Sequence, residues 1–175
     1  MRERTIASHY ARAALGGARR AGYDYSGLLQ QVGITPELLT EPRARIAPEQ
    51  FTRLLQMLWL ALDDEYLGFA EGPSKRGTFA MMCHALIHCR TLEKALERGL
   101  LFYSLFPQGP RWHLTREGEM ARLSLDDSQL GDPDHFLSEC LLVIWHRLGS
   151  WLIGQRIRLH QARSEERRVG KECPR

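Results

Sequence analysis

Three helix starts and two helix stops fall between Gly22 and Trp59, in the stretch GYDYSGLLQQVGITPELLTEPRARIAPEQFTRLLQMLW. The signals lie too close together for separate domains and are too distinct for one long helix, so the chain must begin with short helices folded back on each other. Asp24 and Ser26 can cap a first helix carrying Leu28, Leu29 and Val32, and Gly33 supplies the left-handed residue that ends it. Thr35 followed by Pro36 is a cap with proline at the first helical position, opening a short turn around Leu38 and Leu39. Ala47-Pro48-Glu49 starts a longer helix whose Phe51, Leu54, Leu55, Leu58 and Leu62 recur at intervals of three and four.

Upstream, residues 4–21 carry a helical pattern through Ile6, Tyr10, Ala13 and Ala14, weakened by Gly16-Gly17. Downstream, Asp63-Asp64 and Gly72-Pro73 bracket what reads as a short helix ending near Ala70. Thr78 is the expected cap of a helix running through Cys89, and Thr91 that of a helix from Leu92 to Leu105. Pro107-Gln108-Gly109-Pro110 breaks this helical regime. Two alternating runs then flank Gly118, with Trp112, Leu114 and Arg116 in the first and Leu123 and Leu125 in the second, a pattern that predicts a β-hairpin. Asp132-Pro133 predicts a long helix to about Gly154, and the alternation of Ile157 and Leu159 with charged residues from Gln155 to His160 predicts a further strand. The fold class expected is α+β: N-terminal helices, followed by helices packed on a small antiparallel sheet.

The order of these signals resembles the effector-sensing N-terminal domain of AraC-type bacterial transcription regulators, in the branch whose sensor begins with helices. The residues carrying the resemblance are Gly22, Leu28-Leu29, Val32-Gly33-Ile34, Pro36 with Leu39, Pro42 with Arg45, and Pro48 with Phe51 and Leu54. It continues through Tyr66-Leu67-Gly68-Phe69, through Gly77-Thr78-Phe79 (where Ala80 replaces a second glycine of the family pattern) and through Thr91-Leu92-Glu93-Lys94-Ala95-Leu96. It covers roughly residues 8–160. It implies a small-molecule effector, a homodimer, a cytoplasmic location, and DNA contact only through a C-terminal pair of helix-turn-helix motifs that is not in this chain.

Composition is that of an ordinary soluble globular protein and argues against a nucleic-acid surface. In 175 residues, 43% are hydrophobic and 26% charged, enough for a core without metals or disulfides. Outside residues 163–175 the chain has 19 Lys/Arg against 18 Asp/Glu, far from the basic bias of a DNA-binding face. Arg12, Arg19 and Arg20 on the first helix, with Arg2 and Arg4 nearby, lack interleaved aromatic residues and read as a solvated face. Cys83, Cys89, Cys140 and Cys173 form no CxxC pair, which favours a reducing compartment. The apolar stretch 137–153 is broken by Glu139, His146 and Arg147, so it predicts a buried helix and no membrane span. The sensing domain is expected over residues 1–162. From Arg163 to Arg175 the chain carries eight charges in thirteen residues, predicting a disordered tail, and Arg163 to Cys173 is similar to the translation of a sequencing-library adapter.

Few residues suggest chemistry. His84 and His88, four apart and flanked by Cys83 and Cys89, are spaced to share a metal on a helix. However, Cys83 and His84 point about 100° apart, and no HExxH glutamate accompanies them. His84, His88 and His146 are the side chains a haem- or metal-dependent sensor would use, but an ordinary helix face explains them with fewer assumptions. His113, His135, His146 and His160 are dispersed, and none has a local signature pairing it with Cys140, so nucleophilic catalysis has no support. Asp126-Asp127 and Asp132/Asp134 sit beside a turn and a helix start, where capping accounts for them. The expectation is therefore a sensor without catalytic residues, metal or cofactor, rather than a metal-dependent sensor or a small-molecule enzyme. The effector-contact residues expected from placement alone are Met82, His84, Phe102, Tyr103, Trp112 and His113, which mix adaptable, aromatic and polar side chains.

Overall fold

The computed structural model describes residues 5–163; the expectations placed on the tail beyond Arg163 lie outside the described residues. In chain order the elements are β1 (Ile6–Ala7), α1 (Ser8–Arg20), α2 (Ser26–Val32), α3 (Pro36–Thr40), β2 (Arg45–Ile46) and α4 (Pro48–Leu62). They continue with α5 (Thr78–Leu86), α6 (Leu92–Tyr103), β3 (Arg111–Glu117), β4 (Met120–Asp126) and α7 (Phe136–Leu152). Among the described residues there are seven helices and two small antiparallel sheets, about 49% helix and 11% strand, and the fold is α+β.

The N-terminal punctuation works locally. Gly33 ends α2 at φ 67°, and its N–H reaches the Gln30 carbonyl. Thr35 Oγ1 accepts from Leu38 N at 3.4 Å and starts α3. The Gln50 side chain accepts from Ala47 N and donates to the carbonyls of Val32 and Gly33, tying the start of α4 to the end of α2. Ile6 departs from the expected helix: it pairs with Ile46 in the two-residue ladder of β1 and β2, and α1 begins only at Ser8. Tyr10 is exposed, so the buried face of α1 is that of Ala11, Ala14, Leu15 and Ala18.

Gly16-Gly17 does not break α1, because the glycines admit a neighbour. A Cβ on Gly17 would lie 2.1 Å from the Leu67 carbonyl oxygen, and one on Gly68 would lie 2.8 Å from the Gly17 oxygen. Two backbones thus pass in direct contact, and the Phe69 ring packs beside Gly16 and Gly17. Phe69 is 1% exposed and meets Phe136 at the start of α7, with ring centroids 6.2 Å apart.

Four larger departures from expectation follow. First, residues 64–77 are not helical. Asp64 forms a turn by accepting from three amides: Tyr66 and Ser74 on Oδ1, at 2.9 and 2.8 Å, and Gly68 on Oδ2 at 2.7 Å. A carboxylate serving three backbone donors outcompetes the weak helical propensity of EYLGFAEG. Second, Thr78 does not cap α5. That end is closed by Glu65, whose two oxygens accept from Gly77 N and Phe79 N, and the helix stops at Leu86, short of Cys89. Third, α7 starts at Phe136 rather than after Pro133. Asp132 still caps it, accepting from Phe136 N and Ser138 N across His135, which has φ 52°. Fourth, Gln155 to His160 is not a strand. Ile157 folds back on α7, where its N–H meets Ser150 Oγ and its carbonyl meets His146 Nε2 at 2.9 Å. A carbonyl only accepts, so in this contact His146 donates from Nε2.

The hairpin forms where the two alternating runs predict it. Trp112 faces Leu125, Leu114 faces Leu123, and Gly118 turns at φ 62°. Thr91 caps α6 by accepting from Lys94 N at 3.2 Å, although the helix ends at Tyr103 rather than Leu105.

Candidate functional site

Two regions have the makings of a site, and α7 connects them. The first is aromatic. Gly99 on α6 lets α7 approach so closely that a Cβ there would lie 2.5 Å from the Trp145 ring. Trp145, 3% exposed, then meets Tyr103 at 6.2 Å and Trp112 at 5.6 Å, both edge to face. Phe102 and Phe106 extend the cluster along the end of α6, with centroids 5.6 Å apart. Such geometry is favourable for the ring quadrupoles and fills space efficiently. Burial, and then the neighbouring Tyr66, Glu65 and Cys83, push the Tyr103 hydroxyl far above its ordinary range, so it stays protonated.

Among the sequence-derived residues, the structure brings Phe102, Tyr103 and Trp112 into this cluster. Met82 is fully buried on α5, in the same continuous core. His84 and His113 are exposed on α5 and β3. His88 lies beyond the end of α5, so it does not share a helical face with His84. Among the described residues no three His, Cys, Asp or Glu side chains gather as metal ligands. Cys140 is a poor nucleophile: burial foremost, then the charges of Asp132 and Glu139, pushes its thiol up to about 11.

The second region was not foreseen as a site. A cleft of about 610 Å³ opens between α1 and the segment 127–135 that leads into α7. Its floor is apolar, from Ala13, Gly16, Phe69 and Leu130. One wall carries Arg12, Arg19 and Arg20, which the intervals of seven and eight residues place on one side of α1. Arg20 is committed to the fold: it donates to the Gly68 carbonyl at 2.7 Å, and its guanidinium lies where a Cβ on Gly131 would be. Arg19 donates through Nε to the Tyr25 hydroxyl at 3.3 Å. The Arg12 guanidinium makes no hydrogen bond or ion pair among the described residues.

The opposite wall is acidic and ordered by its own contacts. Asp127 Oδ2 lies 3.1 Å from His135 Nδ1 and accepts from Ser138 Oγ at 2.9 Å, while Asp132 is occupied by the start of α7. The Gly131 amide donates to the Phe69 carbonyl and sets the segment over the floor. Asp134 lines the cleft, and its carboxylate makes no hydrogen bond or ion pair among the described residues. A neighbouring cavity of about 200 Å³ is also lined by Arg12, Ala13 and Asp134. The sequence did assign the acidic pairs to turns and caps; Asp132 caps α7 and Asp126 accepts from Ser128 N in the turn, whereas Asp127 meets side chains instead. Nothing local could show that 127–135 folds against α1, more than a hundred residues earlier.

Helices laid against a small hairpin, with an open charged cleft beside them, offer a concave surface of the kind that binds small ligands. Residues 22–168 match the family described as the arabinose-binding domain of AraC transcription regulator, N-terminal, and the chain belongs to that family. The family is a regulator's effector-binding domain, not a family of enzymes. No curated protein matches the chain, and no solved structure does. No helix among the described residues is long and apolar enough to cross a membrane.

Proposed function

We propose that this chain is the effector-sensing and dimerising part of a cytoplasmic AraC-type transcription regulator, which contacts DNA through a helix-turn-helix domain outside residues 1–162. The observation that carries the proposal is the family match over residues 22–168. A small molecule that binds one arrangement of the homodimer better than another shifts the population between them, and the shift repositions the attached DNA-binding part. The near balance of 19 basic and 18 acidic side chains outside residues 163–175 supports leaving DNA contact to that other part.

The sequence-derived effector residues enter this proposal in graded roles. Phe102, Trp112 and His113 offer accessible edges to an effector or to the rearrangement it causes, while Met82 and Tyr103 back them from the core and His84 lies on the outer surface of α5. Because Trp112 and Trp145 are 5.6 Å apart, occupancy that moves α7 will change their fluorescence. The test combines a small-molecule screen by thermal shift and Trp emission with sedimentation equilibrium. A ligand that raises the melting temperature and alters the dimer supports the proposal. A strictly monomeric chain that responds to no small molecule, or one that binds promoter DNA selectively by itself, overturns it.

A further inference from the structure

We infer that the cleft between α1 and the 127–135 segment binds a small zwitterion of the α-amino-acid type. The inference rests on the effector-sensing reading and gives it a place and a ligand chemistry.

Two charged side chains of the cleft have no partner among the described residues. Arg12 and Asp134 line both the 610 Å³ cleft and the 200 Å³ cavity beside it, so they share a neighbourhood. They nevertheless form no ion pair with each other or with any described residue. The other charged groups of the cleft are already engaged: Arg20 with the Gly68 carbonyl, Asp132 with the start of α7, and Asp127 with His135 and Ser138. Arg19 uses only Nε, on Tyr25, and keeps its terminal nitrogens available. What remains in the larger cleft is Arg12 and Arg19 with one carboxylate, Asp134, beside the apolar floor of Ala13, Gly16 and Phe69; Glu139 and His9 line only the smaller cavity.

Each part selects a ligand feature. A planar guanidinium matches a carboxylate with two parallel hydrogen bonds. Asp134 matches an ammonium group. The floor suits an aliphatic or aromatic side chain, and the volume lies within the range usual for small-molecule sites. An α-amino acid carries its carboxylate and ammonium on one carbon, so it bridges two opposite charges that stand near one another without touching. A simple anion would leave Asp134 unanswered, and a simple amine would leave Arg12 and Arg19 unanswered.

The test uses the whole chain and the proteinogenic amino acids as probes, by calorimetry at physiological ionic strength. The strongest binder is then compared with its des-amino acid and its decarboxylated amine. The expected result is an amino acid with Kd of about 1 mM or tighter and both analogues weaker by about tenfold or more. Arg12→Gln should weaken the amino acid and the des-amino acid but not the amine. Asp134→Asn should weaken the amino acid and the amine but not the des-amino acid. Both side chains are exposed, so neither substitution should shift the melting temperature. Absence of amino-acid binding, equal affinity for the analogues, or indifference to both substitutions overturns the inference. A different small molecule that binds independently of Arg12 and Asp134 would sink the cleft assignment and leave the effector-sensing reading standing; a strictly monomeric chain that responds to no small molecule would sink both.

Discussion

Replacing Asp64 by alanine should unfold more of this protein's stability than any single surface change. Asp64 is 4% exposed, and its two oxygens hold the amides of Tyr66, Gly68 and Ser74. In Asp64→Ala the buried amides of Tyr66 and Ser74 lose their acceptor, at about 1–3 kcal/mol each, while the partly exposed Gly68 amide recovers water. The expected loss is about 3–4 kcal/mol, a large share of a total that for domains of this kind is about 5–15 kcal/mol. Asp64→Asn should lose less, about 1–2 kcal/mol, because a retained Oδ1 still serves Tyr66 and Ser74 while the new amide nitrogen faces the Gly68 donor. The neighbouring Asp63 is exposed at φ 47°, so Asp63→Gly should stay within about 0.5 kcal/mol of the parent. Equilibrium urea unfolding followed by Trp emission reads all three, with the slope compared to confirm that the same transition is observed. The account of the turn is refuted if Asp64→Ala stays within about 0.5 kcal/mol of the parent, or if asparagine proves worse than alanine.

Other substitutions probe other contacts. Gly17→Ala puts a Cβ 2.1 Å from the Leu67 carbonyl, and because the obstacle is backbone it should cost about 3 kcal/mol, read from chemical unfolding. Gly99→Ala meets the Trp145 ring at 2.5 Å and should cost about 1–3 kcal/mol while shifting Trp emission; an unchanged spectrum would mean that α6 and α7 are farther apart than described. Cys140 has its thiol raised to about 11, so the folded state resists forming the thiolate that the unfolded chain forms near its ordinary 9. Its contribution is therefore whole below pH 9 and is lost as pH rises through 11, and Cys140→Ser should flatten the alkaline fall of the melting temperature between those values.

The elements legible in the sequence were those whose determinants lie within a few residues. Gly33, Thr35-Pro36 and Thr91 act on amides no more than four positions away, and the hairpin is set by alternation around Gly118. The errors share the opposite property. Asp64 reaches Ser74, ten residues on, and Glu65 reaches Phe79, fourteen residues on, so neither capping role leaves a mark in local spacing. The alternation around Ile157 was real, but it serves docking onto α7 rather than pairing in a sheet. The candidate site was least legible. Its aromatic part was visible as residue types, whereas the cleft exists only because Gly17 and Gly68 let distant backbones touch and Gly131 admits Arg20.

The way α7 is held at both ends makes it a lever. Seventeen residues at about 1.5 Å each give a rod of about 25 Å, seated on Asp132 beside the cleft and gripping residue 157 through His146 and Ser150 near its far end. A tilt of about 5° at the seat carries the gripped segment sideways by about 2 Å, more than the slack in a hydrogen bond. Motion too slight to disturb packing at the cleft thus arrives at residue 157 as a displacement of the chain itself.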